Sequence, residues 1–418
     1  MEQDRTGIEH LKLDRDIEVG RSGDLRRTQQ GRGLCLSGGG YRASLFHLGA
    51  LYRLHQLGLL QDAQTVSAVS GGSIVAAWLM ARFLALRESP QQCFATWCAG
   101  VDFRAEIVEP FREVVARDIR TFAVLRTLGR NWRNPSARVE HLERAYRRFL
   151  GDIVLDELPD TPRVVLCATN LSFGVNWEFS KERVGDYLSG YLRQSGSIPL
   201  ARAVAASSSF PPVFGPVLVR ASADDFERGR YRGDDADTLR AHIELSDGGV
   251  YDNLGLEPVL RRCREVLISD AGAPFAFVVG RNYLRRLLRY TQVIGNQAAA
   301  LRRRLFFTLR RLGELEGAYW SLGANRDAGA FGYSEGLAEQ VLARVRTDLD
   351  HFGDAEFEIL VNHGYCSCED GLREDGAPLR PLEPAPNWPY PQWAGEDAVR
   401  ETLRNSHRRF LPSRWWRG

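Results

Sequence analysis

Two similar units that follow one another near the start of this 418-residue chain limit its possible folds more than any other feature. Each unit reads as a short apolar strand, a glycine-rich turn and a helix. In the first unit the strand is Gly33 to Leu36, the turn is Gly38 to Gly40 and the helix is Ser44 to Tyr52. In the second unit the strand is Thr65 to Val69, the turn is Ser70 to Gly72 and the helix is Ile74 to Leu86. Repeated strand and helix pairs predict parallel strands covered by helices, and therefore an α/β fold.

Later segments extend this pattern and suggest a division of the chain. Further strands are predicted at Arg163 to Ala168, Ile243 to Leu245 and Glu265 to Ser269. Residues 110 to 150 and 281 to 320 read as Arg-rich helical insertions, and residues 376 to 393, rich in Pro and Trp, as a surface loop. We expect a polar arm over residues 1–30, a core over residues 31–275 with a helical insertion at about 105–150, and an Arg-rich helical extension packed on that core over residues 276–418.

Composition narrows the possible partners and compartments. Lys and Arg number 55 and Asp and Glu 53, so the net charge of +2 predicts no nucleic-acid partner. The charged N-terminal segment lacks the apolar core of a secretory signal. No uncharged apolar run reaches the roughly 18 residues of a membrane-spanning helix. We therefore expect a cytoplasmic protein.

The cysteines do not indicate a disulfide framework or a metal site. There are seven, an odd and scattered set, which favours reduced thiols. Cys366 and Cys368 form a C-x-C pair, but no second pair follows at zinc-site spacing. The sequence predicts neither a metal nor an organic cofactor.

The turn between the second strand and its helix offers a candidate nucleophile, Ser70. A nucleophile elbow strains the backbone of its serine and requires very small residues two positions before and after it. Gly72 meets this requirement, and Ala68 nearly meets it. The following helix directs its positive N-terminal dipole at the serine, which favours an anionic intermediate. A plain strand-to-helix turn could have the same residues.

The glycine loop of the first unit offers hydrogen-bond donors. Gly38, Gly39 and Gly40 can present consecutive backbone N–H groups to an anion, because no side chain blocks the approach. An oxyanion hole fits this pattern. A phosphate cradle would also fit in principle, although the Walker lysine and the G-x-G-x-x-G spacing are missing. A simple packing turn is a third possibility.

A carboxylate at a strand end is the candidate for the catalytic base. Asp247 directly follows a short apolar strand and precedes Gly248 and Gly249, which allow another backbone to approach closely. Such a group can accept the proton of a nearby serine, although Asp-Gly is also a common turn pair. None of the eight histidines lies in a glycine-rich or strand-end context, and for His47 and His55 we expect packing or surface roles. A Ser-His-Asp triad is therefore not indicated.

Four blocks in this order resemble the patatin-like phospholipase family. They are Ser37-Gly38-Gly39-Gly40-Tyr41-Arg42-Ala43, Ala68-Val69-Ser70-Gly71-Gly72, Ala206-Ser207-Ser208-Ser209-Phe210-Pro211-Pro212-Val213-Phe214 and Asp247-Gly248-Gly249. The resemblance covers about residues 31 to 270. It implies a three-layer α/β sandwich with a central, mostly parallel sheet, and hydrolysis of acyl esters in phospholipids or related lipids.

The resemblance also implies roles for individual residues. Ser70 would be the nucleophile and Asp247 its base, with oxyanion N–H groups from Gly38, Gly39 and Gly40. The glycine loop is similar to that of the group IV cytosolic phospholipases, where the arginine is linked to lipid phosphate. Arg42 holds that position here, and a carboxylate partner that braces the loop is the alternative. Ala68 replaces the usual glycine, a mild change that we expect to be tolerated.

Three segments combine arginine with aromatic residues and predict contact with a membrane surface. They are Arg281 to Arg311, which holds nine arginines and no acidic residue, Phe122 to Trp132, and Arg404 to Arg417 at the C-terminus. Basic charge with Trp and Phe suits an anionic interface. Packing against acidic faces of the same protein or of another subunit would use the same residues. We expect a cytoplasmic, peripherally membrane-associated enzyme, and the sequence does not define its oligomeric state.

The same residues leave three other functions open. An acyltransferase would pass the acyl group to an acceptor other than water. A membrane-damaging effector phospholipase would stay inactive until a ligand or partner released it. A lipid-binding module would carry out no chemistry.

Overall fold

A computed structural model describes residues 31–121, 135–211, 214–272, 283–323, 331–374 and 383–408. In these ranges the strands form one mixed sheet of 11 strands. The strands are β1 Arg32–Leu36, β2 Ala63–Val69, β3 Arg163–Asn170, β4 Val175–Phe179, β5 Val184–Asp186, β6 Gly190–Leu192, β7 Val217–Leu218, β8 Phe226–Glu227, β9 Glu244–Asp247, β10 Glu265–Asp270 and β11 Glu316–Ser321.

Helices cover the sheet. They are α1 Gly40–Gln56, α2 Gly71–Leu86, α3 Phe94–Gly100, α4 Phe111–Val115, α5 Pro135–Leu150, α6 Leu200–Ser207, α7 Ala236–Ala241, α8 Gly249–Asp252, α9 Glu257–Leu260, α10 Tyr283–Arg311, α11 Glu335–Gln340, α12 Asp354–Glu374 and α13 Glu396–Thr402. No described helix is long and apolar enough to cross a membrane.

The sheet has a parallel half and an antiparallel half. The strands β11, β10, β1, β2 and β3 lie side by side in that order, and all are parallel. From β3 the sheet continues through β4, β5, β6 and β8, which are antiparallel to their neighbours. The central parallel strands β1 and β2 are almost entirely buried, as expected for strands covered on both faces. The predicted α/β class is confirmed.

The two predicted strand and helix units are present, with longer helices than the apolar pattern indicated. α1 begins at Gly40 and α2 at Gly71, so each helix starts inside its glycine turn. α2 is nearly all apolar and buried, which explains why no amphipathic period marked its start. The two glycine turns therefore lie at helix N-termini, at the carboxyl edge of the sheet.

The C-terminal part of the chain is integrated into the same fold. β11 pairs with β10, and α12 packs along α1. Gly49 and Gly364 lie where the two helix backbones meet, and a Cβ atom on either glycine would collide with a carbonyl oxygen of the other helix. Arg53 and Glu369 form a buried ion pair, 2.7 Å from Nε to Oε2, between the same helices. The predicted boundary near residue 275 does not coincide with a break in the sheet.

The predicted Arg-rich helical insertions contain α4, α5 and α10, but the prediction of helix is wrong for residues 316–320, which pair with β10 as part of strand β11. The polar arm over residues 1–30 lies outside the described residues, as do Phe122 to Trp132 and residues 409–418. Of the predicted surface loop, residues 383–393 are described, and they form no regular helix beyond a short turn at Pro391–Trp393. Cys366 and Cys368 are buried in α12.

Candidate active site

Strand β3 brings Ser70 and Asp247 together. β2 runs parallel to β3 as far as the pair Val69 and Cys167, and Ser70 follows immediately. One residue further along β3, Ala168 pairs with Asp247, the last residue of the antiparallel strand β9. β2 and β9 therefore lie on the same side of β3 and end against each other. The backbone register places the candidate nucleophile and the candidate base next to one another.

Ser70 occupies a strained turn. Its φ of 51° and ψ of −116° lie in a region that residues with a side chain rarely adopt. Gly71 and Gly72 follow it without space for a side chain, since a Cβ atom would collide with Gly40 O at the first position and with Leu36 O at the second. These close contacts require glycine at both positions. Ala68 is fully buried in β2, between β1 and β3.

The hydroxyl of Ser207, at the end of α6, is hydrogen-bonded to the backbone of the Ser70 turn. It accepts a hydrogen bond from the Ser70 N–H at 3.0 Å and donates one to Cys167 O at 2.6 Å. Ser73 Oγ lies 2.8 Å away and is the donor in that pair, because the Ser207 hydrogen is already used. The carbonyl of Ser207 accepts the Gly248 N–H at 3.2 Å. A single residue thus contacts both the serine turn and the aspartate turn.

Asp247 is a buried carboxylate with one free oxygen. Its Oδ1 accepts the Gly249 N–H at 2.7 Å. Its Oδ2 is buried and has no hydrogen-bond partner of good geometry in the described part of the chain. Burial raises the pKa of Asp247 to about 6, although the Ser70 hydroxyl and the Gly249 amide both lower it. The Ser70 hydroxyl therefore lies near enough to act on this carboxyl group without completing a well-aligned hydrogen bond to Oδ2.

The glycine loop lies beside the serine. A Cβ atom on Gly38 would lie 3.1 Å from Ser70 Cβ. Gly39 has a φ of 148° and Gly40 a φ of 59°, conformations that favour glycine. The Gly38 N–H donates to Asn253 O at 3.1 Å, whereas the Gly39 and Gly40 N–H groups have no acceptor among the described residues. Of the three predicted donors, Gly39 and Gly40 therefore have N–H groups available for an oxyanion.

Arg42 braces the loop from inside the protein. The side chain is 1% exposed, and it donates hydrogen bonds of 2.9 to 3.0 Å to three backbone carbonyls, those of Ala343, Val345 and Ala271. Burial lowers its pKa to about 10. This corrects the prediction that Arg42 contacts a substrate phosphate, because the guanidinium is enclosed by carbonyl groups. No direct contact with a carboxylate, the predicted alternative, occurs within the described ranges, although the charge of Asp270 raises the pKa of Arg42.

The two histidines of α1 have packing roles. His47 is buried, with Nε2 donating to Ser37 O at 2.8 Å and Nδ1 accepting from Ser269 Oγ at 2.7 Å. Burial lowers the pKa of His47 to about 4. His55 is stacked on Phe103, with 4.8 Å between the ring centroids. The groups that set the pKa of Asp247 include no histidine.

Two parts of the site could not be located from the sequence. Ser207 belonged to a recognised block, but three consecutive serines gave no sign of which one contacts the turn. The loop around residues 343–348 lies more than 300 positions after the glycine loop, yet Asp348 O accepts the Tyr41 N–H at 2.9 Å. No local pattern marks such a long-range contact.

Side chains that bind metal ions do not cluster in the described part of the chain. No group of three or more His, Cys, Asp or Glu side chains that could hold an ion occurs in the described ranges.

A serine on a strained turn between a strand and a helix has the geometry of a nucleophile elbow. The family model "Patatin-like phospholipase" matches residues 34–260, more than half of the chain. The chain belongs to the patatin-like phospholipase family, and this membership supports lipid acyl hydrolase activity. No curated protein matches the sequence significantly.

A human enzyme of known structure has a similar fold. The human GIVD cytosolic phospholipase A2 is 15% identical, with a TM-score of 0.51 over 96% of this chain and 62% of that one. VipD from Legionella pneumophila is 13% identical, with a TM-score of 0.36 over 84% of this chain and 68% of that one. The chain thus spans less than two thirds of the human enzyme.

Proposed function

We propose that this protein is a serine lipid acyl hydrolase of the phospholipase A or lysophospholipase type, with Ser70 as nucleophile and Asp247 as base. The observation that carries the proposal is the meeting of β2 and β9 along β3, which sets a strained serine against a buried carboxylate with a free oxygen. A base with a pKa near 6 is ionised at neutral pH and still accepts a proton readily.

The first half-reaction acylates the serine. Asp247 takes the hydroxyl proton as Ser70 Oγ bonds to the ester carbonyl carbon. The carbonyl oxygen becomes an oxyanion, which the N–H groups of Gly39 and Gly40 and the N-terminal dipole of α2 stabilise. The tetrahedral intermediate collapses as the bond to the lipid alcohol breaks. Asp247 returns its proton to that alcohol, which leaves an acyl-serine.

The second half-reaction releases the fatty acid. Asp247, again ionised, removes a proton from water, and the resulting hydroxide bonds to the acyl carbon. The same N–H groups stabilise the second oxyanion. The bond to Ser70 Oγ then breaks, and Asp247 returns the proton to the serine. The products are a fatty acid and the regenerated Ser70.

We propose phospholipid or another acyl lipid as the substrate and a membrane surface as the place of action. Family membership supports the lipid class. Of the three Arg-rich segments, only the one centred on α10 lies largely within the described residues. The protein would work as a peripheral enzyme on the cytoplasmic side of a membrane.

The test compares the parent protein with Ser70→Ala and Asp247→Asn on phospholipid vesicles and on a nitrophenyl ester. We expect both variants to lose at least about a hundredfold in kcat. Ser246→Ala is the matched control, because among the described residues its hydroxyl bonds to Ser209 O, at 3.3 Å, and not to the Ser70 turn. Activity that survives in both dyad variants contradicts the mechanism.

A covalent probe and a labelled solvent complete the test. An alkyl fluorophosphonate should modify Ser70 in the parent protein, as shown by peptide mass spectrometry, and should react far more slowly with Asp247→Asn. Hydrolysis in ¹⁸O-labelled water should place the label in the released fatty acid. Transfer of the acyl group to an added lysolipid would identify an acyltransferase instead.

A further inference from the structure

Helix α10 presents an unusual apolar face to the solvent. Tyr290, Ile294 and Leu301 are 64%, 69% and 58% exposed, and Leu305 and Leu312 are exposed as well. The spacing of four, seven, four and seven residues places all five on one side of the helix and its final turn. Among the described side chains of α10, Phe306 and Leu309 are buried, and Leu309 borders this exposed face because it lies one turn after Leu305. We call the five exposed residues the α10 stripe.

Two arginines outside the stripe attach α10 to the loops of the candidate site. Arg302 Nε lies 2.9 Å from Asp252 Oδ2, and its guanidinium lies over the Tyr251 ring at 4.9 Å. Both partners belong to α8, which begins two residues after Asp247. Arg303 pairs with Asp270, 3.4 Å from Nη1 to Oδ2, at the end of β10. These contacts hold the middle of α10 at the same edge of the sheet as Ser70, and from there the helix runs back toward the start of β11.

We infer that α10 lies flat on an anionic lipid surface, with the α10 stripe inserted at the boundary between headgroups and acyl chains. This inference rests on the proposed function only in that the docking surface would also contain the substrate. Residues 281–311 contain no acidic side chain. Arg304 and Arg311, one turn or less from stripe residues, lie along one edge of the stripe and suit anionic headgroups.

Charge favours a lipid surface over a second copy of the chain. Two stripes packed together would bring the arginines of both helices close to each other, and neither helix offers a carboxylate to pair with them. An anionic bilayer supplies the opposite charge and accepts the apolar side chains. Exposed apolar residues also continue from the helix toward the site, since Val250 on α8 is exposed.

The experiment measures cosedimentation with vesicles of phosphatidylcholine, with and without phosphatidylglycerol. All proteins carry Ser70→Ala, so binding is measured without hydrolysis and independently of the proposed function. Leu301→Gln/Leu305→Gln should weaken partition to the anionic vesicles by about tenfold or more. Leu218→Gln, a change of similar exposure on β7, should leave it unchanged. Removing phosphatidylglycerol should weaken binding of the parent.

Two results would overturn the inference. One is unchanged binding of the double variant to anionic vesicles. The other is a parent dimer that the double variant converts to a monomer without a loss of vesicle binding, as measured by light scattering, since the stripe would then be an interface between copies. Thermal unfolding of the variants checks that the exposed substitutions leave the fold intact.

The hydroxyl of Ser207 carries a second, independent inference. All three of its hydrogen-bonding positions are used, by Cys167 O, the Ser70 N–H and Ser73 Oγ. A strained backbone persists only where its surroundings over-determine it. The Ser70 N–H is the amide of the strained residue, and Cys167 is the β3 residue next to the partner of Asp247. We infer that Ser207 is a positioning residue for both halves of the site.

Kinetics distinguish this role from a merely structural one. Ser207→Ala should lower kcat by about ten- to a hundredfold with KM nearly unchanged, because substrate contacts remain while the Ser70 turn relaxes. Ser209→Ala is the matched control, since its hydroxyl donates only to Ala205 O, at 2.6 Å. Fluorophosphonate labelling of Ser70 should slow in Ser207→Ala and not in Ser209→Ala.

A conservative variant keeps the test decisive. Ser207→Cys retains a small polar group and should give a kcat between those of Ser207→Ala and the parent. If Ser207→Ala does not fold, this variant alone decides the question. A kcat equal to that of Ser209→Ala in both variants contradicts the inference, whereas a parent protein without hydrolytic activity contradicts the proposed function instead.

Discussion

At the scale of single residues, the buried carboxyl group of Asp247 links activity to pH. As a base it must be ionised, and burial raises its pKa to about 6. We predict that kcat/KM for a nitrophenyl ester falls about tenfold per pH unit below about pH 6 and is level between pH 7 and 8. A steady-state profile on a substrate that does not titrate in this range measures it. An acid limb centred near pH 4 would show that another group is the base.

Because it is buried, the ionised Asp247 side chain also lowers the stability of the folded protein. Its pKa is higher in the folded protein than the value of 3.8 for an ordinary Asp, so the fold holds the proton more tightly and loses stability as pH rises from about 4 to 6. Asp247→Asn removes the charge and keeps an oxygen for the Gly249 N–H. We predict that it raises the free energy of unfolding at pH 7 by up to about 3 kcal/mol, with little effect at pH 4.

Urea unfolding at the two pH values measures this difference. Asp252→Asn is the control, because Asp252 is paired with Arg302 and accepts the Leu254 and Leu256 N–H groups. The control should lose stability at pH 7. A less stable Asp247→Asn at that pH would contradict the prediction, since it would mean that the fold favours the charged carboxylate.

At the scale of secondary structure elements, the ends of strands β2 and β9 determine where the candidate site lies. The sequence predicted β1, β2, β3, β9 and β10 because each contains a run of apolar or β-branched residues. It predicted Ser70, Asp247 and the glycine loop as neighbours only through the family pattern. The antiparallel strands β5 to β8 are two or three residues long, too short for an alternating pattern to mark them.

Contacts between distant elements were not predictable either. Arg42 was assigned to a phosphate from its place in the motif, but its true partners depend on where the loop around residue 343 packs. Likewise, the α10 segment was recognised as basic and aromatic, while the sequence could not show which face is buried. Packing between elements far apart in sequence determines both outcomes.

The loop that holds Arg42 allows a prediction at this scale. Arg42→Met would leave three buried carbonyl groups without donors, and we predict a loss of about 3 kcal/mol or more in the free energy of unfolding. Because the guanidinium does not reach substrate, any remaining activity should fall equally on a phospholipid and on a neutral nitrophenyl ester. Denaturation and kinetics on both substrates measure this. A selective loss on the phospholipid would restore the phosphate role.

At the scale of the whole molecule, the ion pair between Arg53 and Glu369 joins α12, in the C-terminal part of the chain, to α1. Both side chains are fully buried. Removing one partner leaves an uncompensated charge, so Glu369→Met or Arg53→Met alone should cost about 3 to 5 kcal/mol. Arg53→Met combined with Glu369→Met should cost clearly less than the sum of the two single changes. Urea unfolding of the four proteins measures this coupling, and additive effects would contradict it.

The role of β3 as a shared neighbour of β2 and β9 has a consequence for protein engineering. The separation of Ser70 and Asp247 is set by backbone pairing and not by the surrounding loops, so loops at the rim could be exchanged to accept other acyl chains. A one-residue slip of β9, however, would move Asp247 by about 3.4 Å and turn its side chain to the other face of the sheet. Insertions between residues 218 and 244 are therefore safe only if they preserve the strand register.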